Sequence, residues 1–270
     1  MAHEMLRDAW QIDGSATAQA HEDGLVAAYL GRCAQRLVDL TEVHPGDRIL
    51  DIACGTGVLA RKAAERAGGQ GRVAGLDLNR DMLALARRLA PGIEWREGDA
   101  CATPFANASF DAVLNQMGLM FFPDPARALT EMKRVLAPGG RLAVAVPAPL
   151  SESPGYALFA AILRRHAGEE AAALLERYFA FGDHAGLARL ARDVGLGGAR
   201  IARIEGTMRL REAADLPRLE IRATPMSGLV DASAYAAIVA ECETALASFR
   251  DPQGHIAFPL DASVILWRKV

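Results

Sequence analysis

The apolar positions change period along the chain. Through the first ~40 residues they recur at helical spacing: Leu25, Val26, Leu30, Leu37 and Leu40 form a rough stripe, and Pro45-Gly46 stops it. From Arg48 the pattern becomes short apolar runs that alternate with amphipathic stretches. Residues 48–52, 73–76, 93–97, 112–115 and 141–146 read as strands. Residues 58–67, 81–89 and 126–136 read as helices between them, and Pro138-Gly139-Gly140 turns the chain into the last of these strands. Such alternation predicts an α/β fold with a parallel, doubly wound sheet.

After Pro147 the cycle breaks. Pro147, Pro149 and Pro154 mark a connector; helical patterns follow at 156–167, 169–178 and 187–194. A strand-like stretch at 199–210, a helical segment ending near Phe249 and a closing strand at 264–269 complete the chain. The expected organisation is one domain in three parts: a helical cap segment, 1–45; a ligand-binding sheet core, 46–150; and a remainder, 151–270, that completes the sheet and adds capping helices. The stretch between Leu210 and Val264 is long for a link between two strands, since most connections run about 4–6 residues.

Composition narrows the function. The 270 residues carry a formal net charge of -3, the wrong sign for gripping many phosphates, so no nucleic-acid partner is expected. Cys33, Cys54, Cys101 and Cys242 are scattered and form no C-x-x-C pair, which argues against a disulfide scaffold or a structural zinc site. Met1 to Trp10 has no apolar signal-peptide core, and no run approaches a membrane span of about 20 apolar residues. The expectation is a cytoplasmic protein with no membrane partner.

The central chemical signal is Asp51-Ile52-Ala53-Cys54-Gly55-Thr56-Gly57, between a strand and a helix. Gly55 and Gly57 allow a sharp turn and close approach of backbone to a ligand. The helix that follows presents free N–H groups suited to a carboxylate or a phosphate. Val73-Ala74-Gly75-Leu76-Asp77 is a second strand ending in an acid, able to accept both hydroxyls of a ribose. Gly98-Asp99-Ala100 ends the third, where an acid can accept from the exocyclic amine of adenine. Each acid alone reads as a solvated loop residue; the spaced set reads as a cofactor site.

This set resembles the class I S-adenosylmethionine (SAM) dependent methyltransferases. Residues 51–57, Leu76-Asp77 and Gly98-Asp99-Ala100 look like the first three motifs of that family. Phe110-Asp111-Ala112-Val113 and residues 134–140 are similar to its fourth strand and the turn before its fifth. The likeness is strongest to the ubiquinone/menaquinone-biosynthesis-like group, including a subgroup with a stretch like Gln116-Met117-Gly118-Leu119-Met120-Phe121-Phe122-Pro123-Asp124. The resemblance implies a Rossmann-like seven-stranded sheet with a helical insertion between its last two strands. It implies SAM as cofactor, S-adenosylhomocysteine (SAH) as product, and methylation of an O, N or C atom of a small molecule, such as a specialised metabolite. Asp51 would hold the SAM ammonium through water, Gly55 and Gly57 would make room for the methionine moiety, and Asp77 would bind the ribose. Leu78 and Met82, with Asn79, would pack near the adenine, and Asp99 and Ala100 would meet its edge. Asn115 and Gln116 would lie beside the sulfonium. Ala53 stands where many members have glycine, and is small enough to keep the cofactor. His21 stands where the subgroup often has tyrosine.

The acceptor side is less determined. Methyl transfer needs alignment first, and a base only where the acceptor holds a proton of high pKa. Of six histidines, His3 and His44 read as solvated. His184, in a polar break before a helix, and His21, on the N-terminal cap, are the candidate catalytic residues, each also readable as a cap or a surface residue. Tyr29, Phe121 and Tyr156 are candidate walls of the acceptor pocket. Asn115-Gln116-Met117-Gly118 departs from the Asn/Asp-Pro-Pro-Tyr of amino-methyltransferases acting on nucleobases. No acidic cluster has magnesium-site spacing, so no metal is expected. A nicotinamide-dependent dehydrogenase would share G-x-G and an acid, but no Tyr-x-x-x-Lys is present. A SAM-fold protein that methylates nothing is the alternative. A homodimer is the candidate assembly.

Overall fold

A computed structural model describes residues 15–222 and 225–270. The expectations for Met1 to Trp10 and His3 lie outside the described residues. Two short helices, α1 (Ser15–His21) and α2 (Gly31–Leu40), flank a π-helical turn over Glu22–Leu30. The core then runs β1 (Arg48–Ile52), α3 (Val58–Ala67), β2 (Arg72–Asp77), α4 (Arg80–Leu89), β3 (Glu94–Glu97), β4 (Phe110–Gln116), α5 (Pro125–Val135) and β5 (Leu136–Pro147). The remainder comprises α6 (Pro154–Glu176), α7 (His184–Asp193), β6 (Arg200–Ile204), β7 (Thr207–Leu210), α8 (Asp215–Arg222), α9 (Ala232–Ala245), β8 (Ile256–Pro259) and β9 (Ala262–Arg268).

Seven strands form one sheet in the order β3-β2-β1-β4-β5-β9-β6. The first five are parallel, and β9 runs antiparallel between β5 and β6. The central strands read as near-continuous apolar runs because both faces are covered. Ile49 packs into the layer of α2, α3 and α6, while its neighbours Leu50 and Ile52 pack into the layer of α5 and α7. The expected doubly wound sheet is therefore present.

Three boundaries differ from the sequence reading. The strand-like stretch 199–210 is two strands in two sheets: β6 joins the main sheet, and β7 pairs with β8 in a separate two-stranded sheet. Glu205 and Gly206 make the break, and Asp261 holds it by accepting from the Gly206 N–H at 2.8 Å. The insertion between the last two strands of the main sheet thus carries β7 and β8 as well as helices. The helices read at 156–167 and 169–178 are the two parts of α6, separated as read at Gly168 (φ 87°, ψ 178°), but the second ends at Glu176. The helix expected to end at Leu136 ends at Val135, and Leu136 already pairs with Phe110 across a bulge.

Some helix starts carry side-chain caps. Asn79 accepts from the N–H groups of Asp81 and Met82, Asp124 from Arg127, and Asp183 from Gly186. Two of these caps, Asn79 and Asp124, sit at the carboxyl edge of the sheet and fix α4 and α5 where the strand-end residues meet.

Candidate active site

The carboxyl ends of β1 to β4 open into a cavity of about 310 Å³. The sheet-edge half is lined by Asp51, Ala53, Cys54 and Gly55 after β1, and by Asp77, Leu78, Asn79 and Met82 at β2 and α4. Gly98, Asp99 and Ala100 follow β3, and Gln116, Met117 and Gly118 follow β4. The other half is lined by His21, Leu25 and Tyr29 from the N-terminal helices, Phe121, and Tyr156, Tyr178 and Phe179 from α6 and the turn after it. Met208 of β7, Glu220 of α8 and Leu260, beside β8, complete the wall. Both segments expected to cap the core therefore reach the same cavity as Gln116.

The loop after β1 is held by acids. Asp77 Oδ2 accepts from the Gly55 N–H at 2.7 Å, and its Oδ1 accepts from the Asn79 N–H at 2.8 Å. Asp77 thereby straps the glycine loop to the next strand, a duty the sequence reading did not assign to it. Asp51 accepts from the Ala60 N–H at 3.0 Å and so ties β1 to the first turn of α3. Asp99 accepts from the Cys101 N–H at 2.8 Å. Burial raises the pKa of Asp51 well above the ordinary carboxylate range, and raises that of Asp77, whose N–H partners partly offset the rise. Among the described residues no Lys or Arg lines the cavity.

The two loop glycines differ in role. Gly55 has φ 54° and faces the cavity; a Cβ there would lie 3.9 Å from His21 Cε1. Gly57 has φ 86° and faces inward: its Cβ would fall 2.2 Å from the Trp95 ring. Gly57 does not line the cavity, so its close approach is to the indole. Ala53 and Met117 also adopt left-handed backbone, with φ 55° and 54°. Such a conformation costs roughly 1–2 kcal/mol for a residue with a side chain, so the surroundings must hold it.

Asn115 lies behind the cavity wall, fully buried, and donates to the Ile52 carbonyl at 2.7 Å. Gln116 donates to the Leu30 carbonyl at 3.0 Å, which leaves its buried Oε1 without a partner. His21 reaches the cavity from the end of α1; burial lowers its pKa to about 4, so it is neutral at neutral pH, and its Nδ1 has no partner. His184 is exposed at the start of α7 and does not line the cavity. Tyr29, Phe121 and Tyr156 all line it.

Two sets of residues were missed. Glu22, in the π-helical turn, accepts from Thr56 Oγ1 and from Arg61, both at 2.5 Å, and so clamps the N-terminal cap onto the glycine loop. No sequence pattern pairs residues so far apart. Glu220 is buried at 3% exposure and accepts from the Tyr156 hydroxyl at 2.5 Å. Its signal was an acid on the apolar face of a helix, four residues after the buried Leu216.

Residues 50–144 match the family described as "Methyltransferase domain". Over 113 residues the chain is 47% identical to a 2-phytyl-1,4-naphtoquinone methyltransferase of Thermosynechococcus vestitus, covering 41% of this chain and 50% of that protein. Over 117 residues it is 50% identical to a demethylmenaquinone methyltransferase of Thermus thermophilus, covering 42% and 53%. The chain thus spans about half the length of the curated relatives it matches. The YcgJ protein of Bacillus subtilis shares the fold with a TM-score of 0.59 at 19% identity, over 88% of this chain and 98% of that one. The acids and glycines of the sheet-edge half fall inside the matched segment. Residues 50–144 of this chain therefore match the methyltransferase-domain family, and the relatives that share this segment are named as naphthoquinone and demethylmenaquinone methyltransferases.

Proposed function

We propose that this protein transfers a methyl group from SAM to a small, mostly apolar acceptor. The observation that carries the proposal is the charge character of the cavity. Its charged lining is acidic, with Asp51, Asp77 and Asp99 at three successive strand ends and no Lys or Arg among the described residues. Asp51 and Asp77, whose pKa values burial raises, favour a cation, and SAM brings two cationic centres, an ammonium and a sulfonium. The remaining features fit the same ligand. Gly55 leaves room beside His21, and the buried Gln116 Oε1 offers an unpaired acceptor.

When bound, SAM supplies an electrophilic methyl group. The residues of this chain do the rest. Asp51 and Asp77 hold the glycine loop in its binding shape and complement the cation, with Asp77 also suited to ribose hydroxyls. Asp99, Ala100, Leu78 and Met82 bound the adenine side. The Glu22 clamp brings the N-terminal cap over the loop and keeps water from the reacting centre. In-line alignment of acceptor and methyl group is then the main source of acceleration. His184 has no part in this reading.

The acceptor wall lies outside residues 50–144, except for Phe121. It is rich in aromatic side chains, which suits a ring-bearing acceptor such as the naphthoquinone or demethylmenaquinone in the names of the similar enzymes. The three-part division into cap, core and capping remainder is retained as part of the proposal. Buried, unpaired cysteines support a reducing, cytoplasmic setting. The net charge of -3 supports a partner list without nucleic acid. A homodimer is the assembly to test by sedimentation.

Calorimetry with SAH tests the proposal. We expect micromolar affinity, about -8 kcal/mol, and SAM turnover to SAH in the presence of a quinol. Absence of SAH binding would sink the reading. Binding without turnover on any acceptor would favour a SAM-fold protein that does not methylate.

A further inference from the structure

The half of the cavity away from the sheet-edge acids holds a buried ionisable pair. Glu220 of α8 and Tyr156 of α6 both line it, at 3% and 4% exposure, and the Tyr156 hydroxyl donates to Glu220 Oε1 at 2.5 Å. Tyr156 packs edge-on against Phe258 and tilted against Phe179, and Glu220 has a further contact besides Tyr156. A carboxylate costs free energy in such a place and adds nothing to a core that Leu would not supply better. The N-terminal cap presses on the same helix, since a Cβ at Gly24 would lie 2.0 Å from Leu219.

We propose that Glu220 and Tyr156 form the proton-accepting contact for the methyl acceptor, which therefore presents a phenol- or enol-type hydroxyl to them. This rests on the methyl-transfer reading and deepens it. The acceptor O–H breaks with its proton passing to a Glu220 oxygen. The freed oxygen pair forms the new bond to the methyl carbon, the carbon–sulfur bond breaks, and its pair stays on sulfur. The Glu220 proton returns to water after product leaves. Tyr156 orients the carboxylate and steadies its charge.

Burial supports the role, because it pushes the Glu220 carboxyl up to about 7, against the opposing pull of the Tyr156 hydrogen bond. A base of that strength serves a phenol near neutral pH. The titratable groups around it among the described residues are these. Tyr156 and Tyr178 lie on the α6 side, and Tyr29 and His21 come from the cap. On α8 itself Asp215 pairs with Arg218. On α9, which packs against α8, Glu241 pairs with Arg165 and His166, Glu243 pairs with Arg250, Tyr235 is engaged, and the Cys242 thiol is buried.

The probe is 4-nitrophenol, whose phenolate is coloured. Wild type and Glu220→Gln, each loaded with SAH, are titrated with it across pH. Wild type should hold the probe as the neutral phenol, with an apparent pKa about one above that seen in Glu220→Gln, because the ionised carboxylate opposes a second negative charge. With SAM in place of SAH, wild type should form 4-nitroanisole, and Glu220→Gln should do so about 100-fold more slowly. Tyr156→Phe should keep measurable turnover with a shifted pH profile. Unchanged SAH affinity in both variants verifies that fold and cofactor site are intact. If Glu220→Gln binds and titrates the probe as wild type does, or if wild type does not bind it, the proposal is overturned. Failure of wild type to bind SAH would overturn the methyl-transfer reading instead, and the same titration on ligand-free protein would still read the pair.

Discussion

The two halves of the cavity are built by different means. The sheet-edge half uses backbone turns and acids that follow consecutive strands, so its parts lie within 51–118 and arrive in order along the edge. The opposite half uses side chains from the cap, α6, β7, α8 and the approach to β9, which no single stretch of chain contains. The first half falls inside the matched methyltransferase segment, and of the opposite half only Phe121 does. The lesson is that a ligand shared by many proteins is met by sheet geometry, whereas a ligand particular to one is met by what packs over it.

The largest test of that contrast is Gly57→Val. Left-handed backbone and the Trp95 ring both oppose a side chain, so the variant should lose about 3–4 kcal/mol of stability by calorimetric melting. Normal melting with lost SAH binding would show instead that Gly57 faces the ligand.

Glu220→Gln probes the other half through pH. Burial pushes the folded pKa of Glu220 up to about 7, above the ordinary 4.5. Protonated Glu220 therefore favours the fold below pH 4.5, and this contribution fades as pH rises through 7. Wild type should lose about 3 kcal/mol relative to the variant over that window in parallel denaturant titrations. Curves that stay parallel across pH would mean that Glu220 titrates in the fold as it does in the unfolded chain.

Asp77→Ala separates binding in the two halves. Losing the strap on Gly55 should weaken SAH about 100-fold, near 2.7 kcal/mol, by calorimetry. The affinity for 4-nitrophenol should change little. Equal losses for both ligands would show that the halves act as one unit.

The smallest effect is expected at His184. It is exposed beside the Asp183 cap and outside the cavity, so His184→Ala should alter stability by less than about 0.5 kcal/mol and turnover by less than about twofold. A tenfold loss of turnover would bring α7 into the site.

Legibility followed the range of each interaction. The strands and helices of 46–150 could be read because period and turn chemistry are local signals. The split of 199–210 into two sheets could not, because both strands share one apolar alternation and only their partners distinguish them. Among histidines, sequence could not separate His21 from His184: both open or close a helix, and only packing buries one of them.

By itself the sequence determined the doubly wound sheet, the glycine loop and the three strand-end acids. Each of these depends on neighbours within a few residues and on which strand ends a parallel sheet brings to one edge. Tertiary structure alone decided that Asp77 straps Gly55, that Gly57 belongs to Trp95, that Glu22 clamps Thr56 and Arg61, and that Glu220 meets Tyr156. Those pairings join residues 22 to 64 positions apart, where chain entropy leaves every partner open until the core closes around it.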